Sequence, residues 1–405
     1  MSRGSEPSKW RALALLALAM VLSMSTWFSA SAVLPALRER WSLGNAESSL
    51  LTIAVQIGFV AGALLSAITN LSDIVPARRV FFIASLGAAG ANALVVVADG
   101  LAPALLARAA TGFFIAGVYP PAMKVMATHF RTGRGMALGV MIGALTVGSA
   151  MPHLVNGLGG LEWRTVVIAT SVMTVAGGLI AISLVRDGPF PFTRATFRPR
   201  YILQALRDPA VRLVNLGYFG HMWELYAMWS WFAIFFGESV RAATGSGASD
   251  AGPLGAFAAI AVGALGCYAG GILGDRWGRT RTTALAMAVS GTCALVIGFT
   301  FGAAPWIVLA IGLVWGIAVV ADSAQFSTML TEVADQAYVG TTLTFQLAAG
   351  FTLSVATIWL VPVLRDAFGW WAAFAALAPG PFLGVMAMLA LKGRPEAAKI
   401  AGGRG

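Results

Sequence analysis

Few residues in this sequence can do chemistry where they stand. Of 405 residues, 58% are hydrophobic and only 11% are charged. Against that background Arg108, His221, Glu224 and Asp322 sit inside long apolar runs. A charge in an apolar medium is costly, so each is a functional candidate by default. His221 and Glu224 are spaced i, i+3 and share a face if their run is helical. A buried carboxylate beside an imidazole that titrates near neutrality can take up and release a proton, which makes these two the proton-coupling candidates. The same residues also admit a structural tie of Glu224 to Arg108 or His221, or direct contact with a solute. Arg108 can bind an anion or stand as a fixed structural charge. Asp322 can close a gate with a basic partner such as Lys124, or act as a helix cap or water contact. Lys124 can instead snorkel to an interface.

Other chemistries are poorly served. The three histidines lie far apart, and Cys267 and Cys293 have no metal-type spacing, so no metal site is expected. No G-x-x-x-x-G-K-(S/T) loop occurs, so no nucleotide cofactor is expected, and nothing resembles an enzyme's catalytic set.

The elements that must position these residues are apolar helices. Spanning a bilayer takes about 20 apolar residues, and candidate runs lie at roughly 12–36, 50–72, 80–98, 102–128, 135–157 and 164–185. A second set lies at roughly 211–236, 253–274, 282–302, 305–329, 339–364 and 369–391. The runs are continuous and do not alternate, which excludes a β-barrel. The first exceeds a signal-peptide core and reads as a membrane helix. The predicted fold class is therefore an all-α membrane protein of twelve transmembrane helices, with the lipid bilayer as its solvent.

The net charge of +10 does not point to nucleic acid, because the basic residues lie between apolar runs. With the N-terminus in the cytoplasm, roughly 21 of the 27 Lys and Arg fall on cytoplasmic segments, and about 5 fall opposite. This predicts a multi-pass protein of the cytoplasmic (inner) membrane with both termini cytoplasmic. A basic, proline-broken stretch divides the chain into an N-terminal bundle (1–186), a linker (187–211) and a C-terminal bundle with a short tail (212–405). Landmarks recur about 200 residues apart. Asp73, Arg78 and Arg79 follow the second run, while Gly271, Gly274, Asp275, Arg276, Gly278 and Arg279 follow the eighth. Two pseudo-symmetric six-helix halves around a midplane path are a common design of secondary transporters.

On these motifs the chain resembles the major facilitator superfamily over essentially its whole length. Gly271-Ile272-Leu273-Gly274-Asp275-Arg276-Trp277-Gly278-Arg279 is similar to the family's G-x-L-x-D-R-x-G-R loop, whereas the first half has Thr69 and Pro76 at its glycine positions. The resemblance implies that Asp73, Arg78, Gly271, Gly274, Asp275, Arg276, Gly278 and Arg279 form a cytoplasmic latch, with Lys124 and Asp322 assigned beside it. Arg108-x-x-x-Gly112 resembles a family signature on the fourth helix. The stretch from Gly117 to Lys124, followed by Arg134-Gly135, resembles anion-moving branches. On the fifth helix Met151-Pro152 stands in place of the G-P pair usual in drug exporters.

In the family, helices 1, 4, 7 and 10 line the cavity, which makes Trp27, Arg108, Tyr119 and Tyr226 the substrate-cavity candidates. Tyr119 lies near Arg108 on a helical wheel and should share its face. The function implied is secondary active transport by alternating access, coupled to protons, of a small solute, anions included, by a monomer. Proton-driven efflux of drugs or amphipathic metabolites on the same fold is the alternative.

Overall fold

The structure, a computed structural model, describes residues 6–130, 133–158, 161–190, 197–245 and 251–405; the side chains of residues 6–8, Ser72 and Asp73 lie outside the description. All regular structure among the described residues is helical. In the first half these helices are α1 (Glu6–Met24), α2 (Asn45–Ile68), α3 (Ala77–Val97), α4 (Leu101–Ala127), α5 (Arg134–Gly157) and α6 (Trp163–Ser183). In the second they are α7 (Pro209–Thr244), α8 (Ala251–Trp277), α9 (Arg279–Thr300), α10 (Pro305–Val333), α11 (Val339–Phe368) and α12 (Trp370–Lys392). Each apolar run of the sequence falls on one of them.

Among the described residues, ten helices are long and apolar enough to cross a membrane; α1 and α7 are the two outside that set. An early break marks the first and polar content the second. The α1 run is broken by turns at Ser25–Phe28, and α7 carries His221, Glu224, Ser230 and several Tyr and Trp rings. The two helices that look least like membrane spans are thus the ones that supply the central residues.

The packing repeats. In the first half α1 contacts α5 and α6, α3 contacts α4 and α6, and α2 contacts α4. In the second, α7 contacts α11 and α12, α9 contacts α10 and α12, and α8 contacts α10. The halves meet through two related seams, α2 on α11 and α5 on α8. Both α5 and α11 carry an internal proline, Pro152 and Pro362, which removes a ladder hydrogen bond at corresponding places. Close crossings depend on glycine. A Cβ at Gly112 would overlap the Val55 carbonyl, and one at Gly58 the Ala109 carbonyl, so α2 and α4 touch backbone to backbone.

The stretch between α6 and α7 runs over residues 184–208 and holds short helical turns at Pro199–Tyr201 and Ile202–Ala205. Asp208 caps α7, accepting from the Ala210 and Val211 amides at 2.8 and 3.4 Å, and Pro209 occupies the first helical position. The arginines before it therefore end in a helix start rather than in free chain. Residues 191–196 of the linker lie outside the described residues.

Candidate functional site

A cavity of about 630 Å³ lies between the halves, within the range of small-molecule sites. Its mouth reaches the surface at Arg134 and Thr331, on the side of the α4–α5, α8–α9 and α10–α11 connections, with Lys124, Arg279 and Glu332 along the wall. Deeper, the lining turns aromatic and aliphatic, including Tyr119, Met123, Tyr218 and Met222. The inner end is sealed by packed rings from four helices. Trp27 stacks on Tyr226 at 5.7 Å, Phe59 meets Phe351 at 4.4 Å, and Tyr226 meets Phe351 at 5.0 Å. Trp27, Tyr119 and Tyr226 all line this space.

Arg108 does not line it. The side chain is fully buried and serves the break in α1. Where the helix stops, its last carbonyls lose their partners. Arg108 Nη1 donates to Thr26 O at 3.0 Å, to Ser29 Oγ at 2.9 Å and to Asn92 Oδ1 at 2.8 Å, and Nη2 donates to Trp27 O. Asn92 in turn donates to Val167 O at 3.1 Å and to Ser171 Oγ at 3.0 Å, tying α1, α3, α4 and α6 together. No carboxylate forms an ion pair with Arg108 among the described residues. The carbonyl end of α1 supplies the negative field instead. The shared face expected for Arg108 and Tyr119 fails because α4 is interrupted at residues 116–118, which resets the helical wheel between them.

His221 and Glu224, one turn apart on α7, turn to different partners. His221 Nδ1 lies 2.9 Å from Asp322 Oδ1, with both side chains buried. The contact is at ion-pair distance but off the direction of a hydrogen bond. His221 Nε2 lies 3.1 Å from Ser323 Oγ. His221 and Ser323 both line the cavity, so the imidazole stands between the solute space and a carboxylate behind it. Asp322 occupies the residue at which α10 is interrupted, where backbone groups are freed. The gate partner expected for it, Lys124, is thereby replaced by His221, while Lys124 lines the cavity wall. Glu224 is also fully buried, and its two oxygens accept from Ser290 Oγ at 2.9 Å and Trp315 Nε1 at 2.7 Å. It forms no hydrogen bond or ion pair with Arg108 or His221; both its hydrogen-bond partners are neutral.

The signature loop of the second half packs at the seam on the mouth side. Arg279 pairs with Asp275 at 3.0 Å and with Glu332 at 3.1 Å, and donates to Gln325 Oε1 at 3.0 Å. Gly135 leaves room for the Asp275 carboxylate over the first turn of α5, in the other half, where a helix start attracts negative charge. Gly271 lies against the Gly135 carbonyl, and Gly274 against Gln325. Gly278 takes φ +101°, open only to glycine. Arg276 is exposed. In the first half Arg78 pairs with Asp187 at 3.3 Å and caps α6 through Val185 O at 2.9 Å. The Asp73 side chain lies outside the described residues.

The C-terminal tail straps this loop. Ile400 is fully buried at the mouth end of the second half, beside Val214, Met329 and Leu391. The Ala401 amide donates to Glu332 at 3.2 Å, Arg404 Nη1 to the Asp275 carbonyl at 2.5 Å, and the Thr280 amide to the Gly405 carbonyl at 3.2 Å. Reading the sequence missed this strap, together with Asn92, Ser290, Trp315 and Ser323. They are uncharged or lie in the tail, and only their partners mark them out. Phe59 and Phe351 were hidden among many other aromatics.

A family model described as Major Facilitator Superfamily matches residues 16–357. The uncharacterized transporter YgaY of Escherichia coli O157:H7 is 28% identical over 183 residues, 44% of each chain. The puromycin resistance protein pur8 of Streptomyces alboniger is 28% identical over 166 residues, 40% of this chain and 33% of that one. The chain thus matches less than half the length of these curated relatives. Its fold is similar to a bacterial homolog of the human lysosomal transporter Spinster, with a TM-score of 0.65 at 18% identity over 98% of this chain and 97% of that one. It is similar as well to the human organic anion transporter MFSD10 (TETRAN), with a TM-score of 0.69 at 15% identity over 95% and 100%. This multi-pass integral membrane protein belongs to the major facilitator superfamily.

Proposed function

We propose that the protein is a secondary active transporter, driven by protons, that moves a small amphipathic solute by rocking one half against the other. It is not an enzyme. The observation that carries this reading is a cavity between the halves, open at one end and sealed by rings at the other, with His221 in its wall and Asp322 buried behind it. A charged His221 would have Asp322 as its counter-ion, and a neutral one would leave a carboxylate with no other ion-pair partner among the described residues. That change in charge at the cavity wall alters which arrangement of α7 and α10 is favoured, which is the requirement for coupling. Glu224, accepting only from neutral donors, is a second group able to hold a proton without losing a salt bridge.

Lys124 and Arg134 near the mouth attract anions, and the rings deeper in accept an apolar body. The basic loops favour a mouth in the cytoplasm, both termini with it, in the cytoplasmic membrane. The two six-helix bundles are joined by the linker before α7, and a monomer contains the whole path. The latch is the Asp275–Arg279 loop against α5, with Asp73 and Arg78 as its first-half counterpart.

Outward movement of drugs or amphipathic metabolites is the second reading. It is favoured by the aromatic lining and by the partial likeness to a puromycin resistance protein. A screen in proteoliposomes with a trapped pH dye tests both, using aryl sulfonates and puromycin as probes. Solute-dependent proton movement that is lost in Asp322→Asn supports coupling. Solute flux indifferent to the pH gradient in both the parent and Asp322→Asn contradicts it.

A further inference from the structure

The sealed end of the cavity holds polar atoms that the protein leaves without partners. Thr26 Oγ1, Trp27 Nε1, Trp229 Nε1, both amide atoms of Gln56 and both ring nitrogens of His153 are buried with no hydrogen bond. Native proteins leave few such groups, because each carries the cost of lost hydration. Here they fall in one layer, as the contacts around them show.

Gln56 lies on α2 between Thr52, which bonds to Ser31 at 2.7 Å, and Phe59, which packs on Trp27 at 5.0 Å. The spacing 52, 56, 59 keeps all three on one face, toward the broken segment of α1. His153 lies on α5 between Gly148, whose missing side chain admits Val21 and Met24, and Asn156, which donates to Ala32 O at 2.8 Å. It is therefore level with the Phe28–Ser29 stretch of α1. Trp229 on α7 packs against Phe28 at 6.0 Å and Tyr226 at 5.7 Å. The layer thus draws on α1, α2 and α5 of one half and α7 of the other, and Trp27 and Trp229 border the cavity itself.

We infer that Thr26, Trp27, Gln56, His153 and Trp229 line the solute path when it opens on the face opposite the present mouth. The inference rests on the transporter reading and adds its missing half. In the closed arrangement these groups are buried without partners, and parting the halves gives them water and the solute. The two indole N–H groups only donate, Gln56 and Thr26 can donate, and the named residues carry no fixed charge. The solute end that passes them therefore presents acceptor oxygens, such as a carbonyl or carboxylate, among aromatic rings.

The test is side-specific labelling in a chain whose Cys267 and Cys293 are replaced by alanine. Single Gln56→Cys and His153→Cys variants, in right-side-out and inverted vesicles, are exposed to a membrane-impermeant maleimide. Labelling of both from the face opposite the mouth is expected, with a Met123→Cys control labelled from the mouth side. If the control reacts and neither layer position is labelled from the opposite face, the inference is overturned. Gln56→Leu provides a second measurement. It removes unpartnered polar atoms from the sealed layer, so the melting temperature should rise while opening slows. A fall in melting temperature would mean that Gln56 is satisfied where it stands, and would also overturn the inference. Labelling depends on neither the solute's identity nor the coupling ion. Labelling without proton-driven flux therefore rejects the proposed function and keeps the path, whereas proton-driven flux without labelling rejects the path alone.

Discussion

At the scale of residues, the buried charges sit in two kinds of surroundings. Arg108 holds together a broken helix, and its worth is best read as stability. Arg108→Met would strand the Trp27 carbonyl, at roughly 1–3 kcal/mol for a group left unsatisfied, and would leave Thr26 O and Asn92 Oδ1 with Ser29 as their donor. Thermal melting in detergent should show a large loss. Arg108→Lys should recover little, since a point ammonium does not reproduce the spread of a guanidinium. A variant that melts like the parent would contradict this role. His221 and Asp322 should behave oppositely, with melting changed little relative to transport. In Asp322→Asn, gradient-driven flux should fall by about tenfold or more, equivalent to roughly 1.4 kcal/mol on the limiting step. Solute exchange at equal pH on both sides should survive.

At the scale of elements, breaks and glycines set the geometry. The fold itself was legible, because apolar runs fix helix positions in lipid and charge placement fixes the loops. The site was only partly legible. His221, Asp322, Trp27, Tyr119 and Tyr226 stood out by residue type, but their partners did not. The reason is that pairing depends on where a helix is interrupted. The interruption of α4 separates Tyr119 from Arg108, and the one at Asp322 brings that carboxylate to His221 instead of Lys124. A wheel drawn through an unbroken helix cannot show either. The seams give a prediction of their own. A Cβ at Gly139 would lie 2.6 Å from the Cys267 carbonyl across the α5–α8 contact. Gly139→Val should therefore destabilise by about 1–3 kcal/mol through overpacking, read as a lower melting temperature. Gly90→Ala meets nothing within 4 Å and should be tolerated, which provides the control.

At the scale of the whole molecule, one end of the path is open and the other is shut by rings, and devices on the open side tie the second half together. The tail strap is the most easily tested of these. Removing residues 394–405 withdraws the buried Ile400 and the bonds to Glu332, Asp275 and Thr280. Loss of the isoleucine alone should cost about 1.5–3 kcal/mol, seen as a lower melting temperature. Because Asp275 also faces α5 of the other half, the truncation should increase labelling of a cysteine placed at Met136. Unchanged melting and labelling would show that the strap holds nothing.

The central claim is that proton movement and solute movement are one event through the His221–Asp322 pair. The most direct measurement follows protons and solute together in proteoliposomes, for the parent and for Asp322→Asn. The account predicts that an imposed pH gradient drives solute accumulation in the parent, that a protonophore collapses it, and that Asp322→Asn exchanges solute without accumulating it. Accumulation that persists in Asp322→Asn, or that ignores the protonophore, would contradict it.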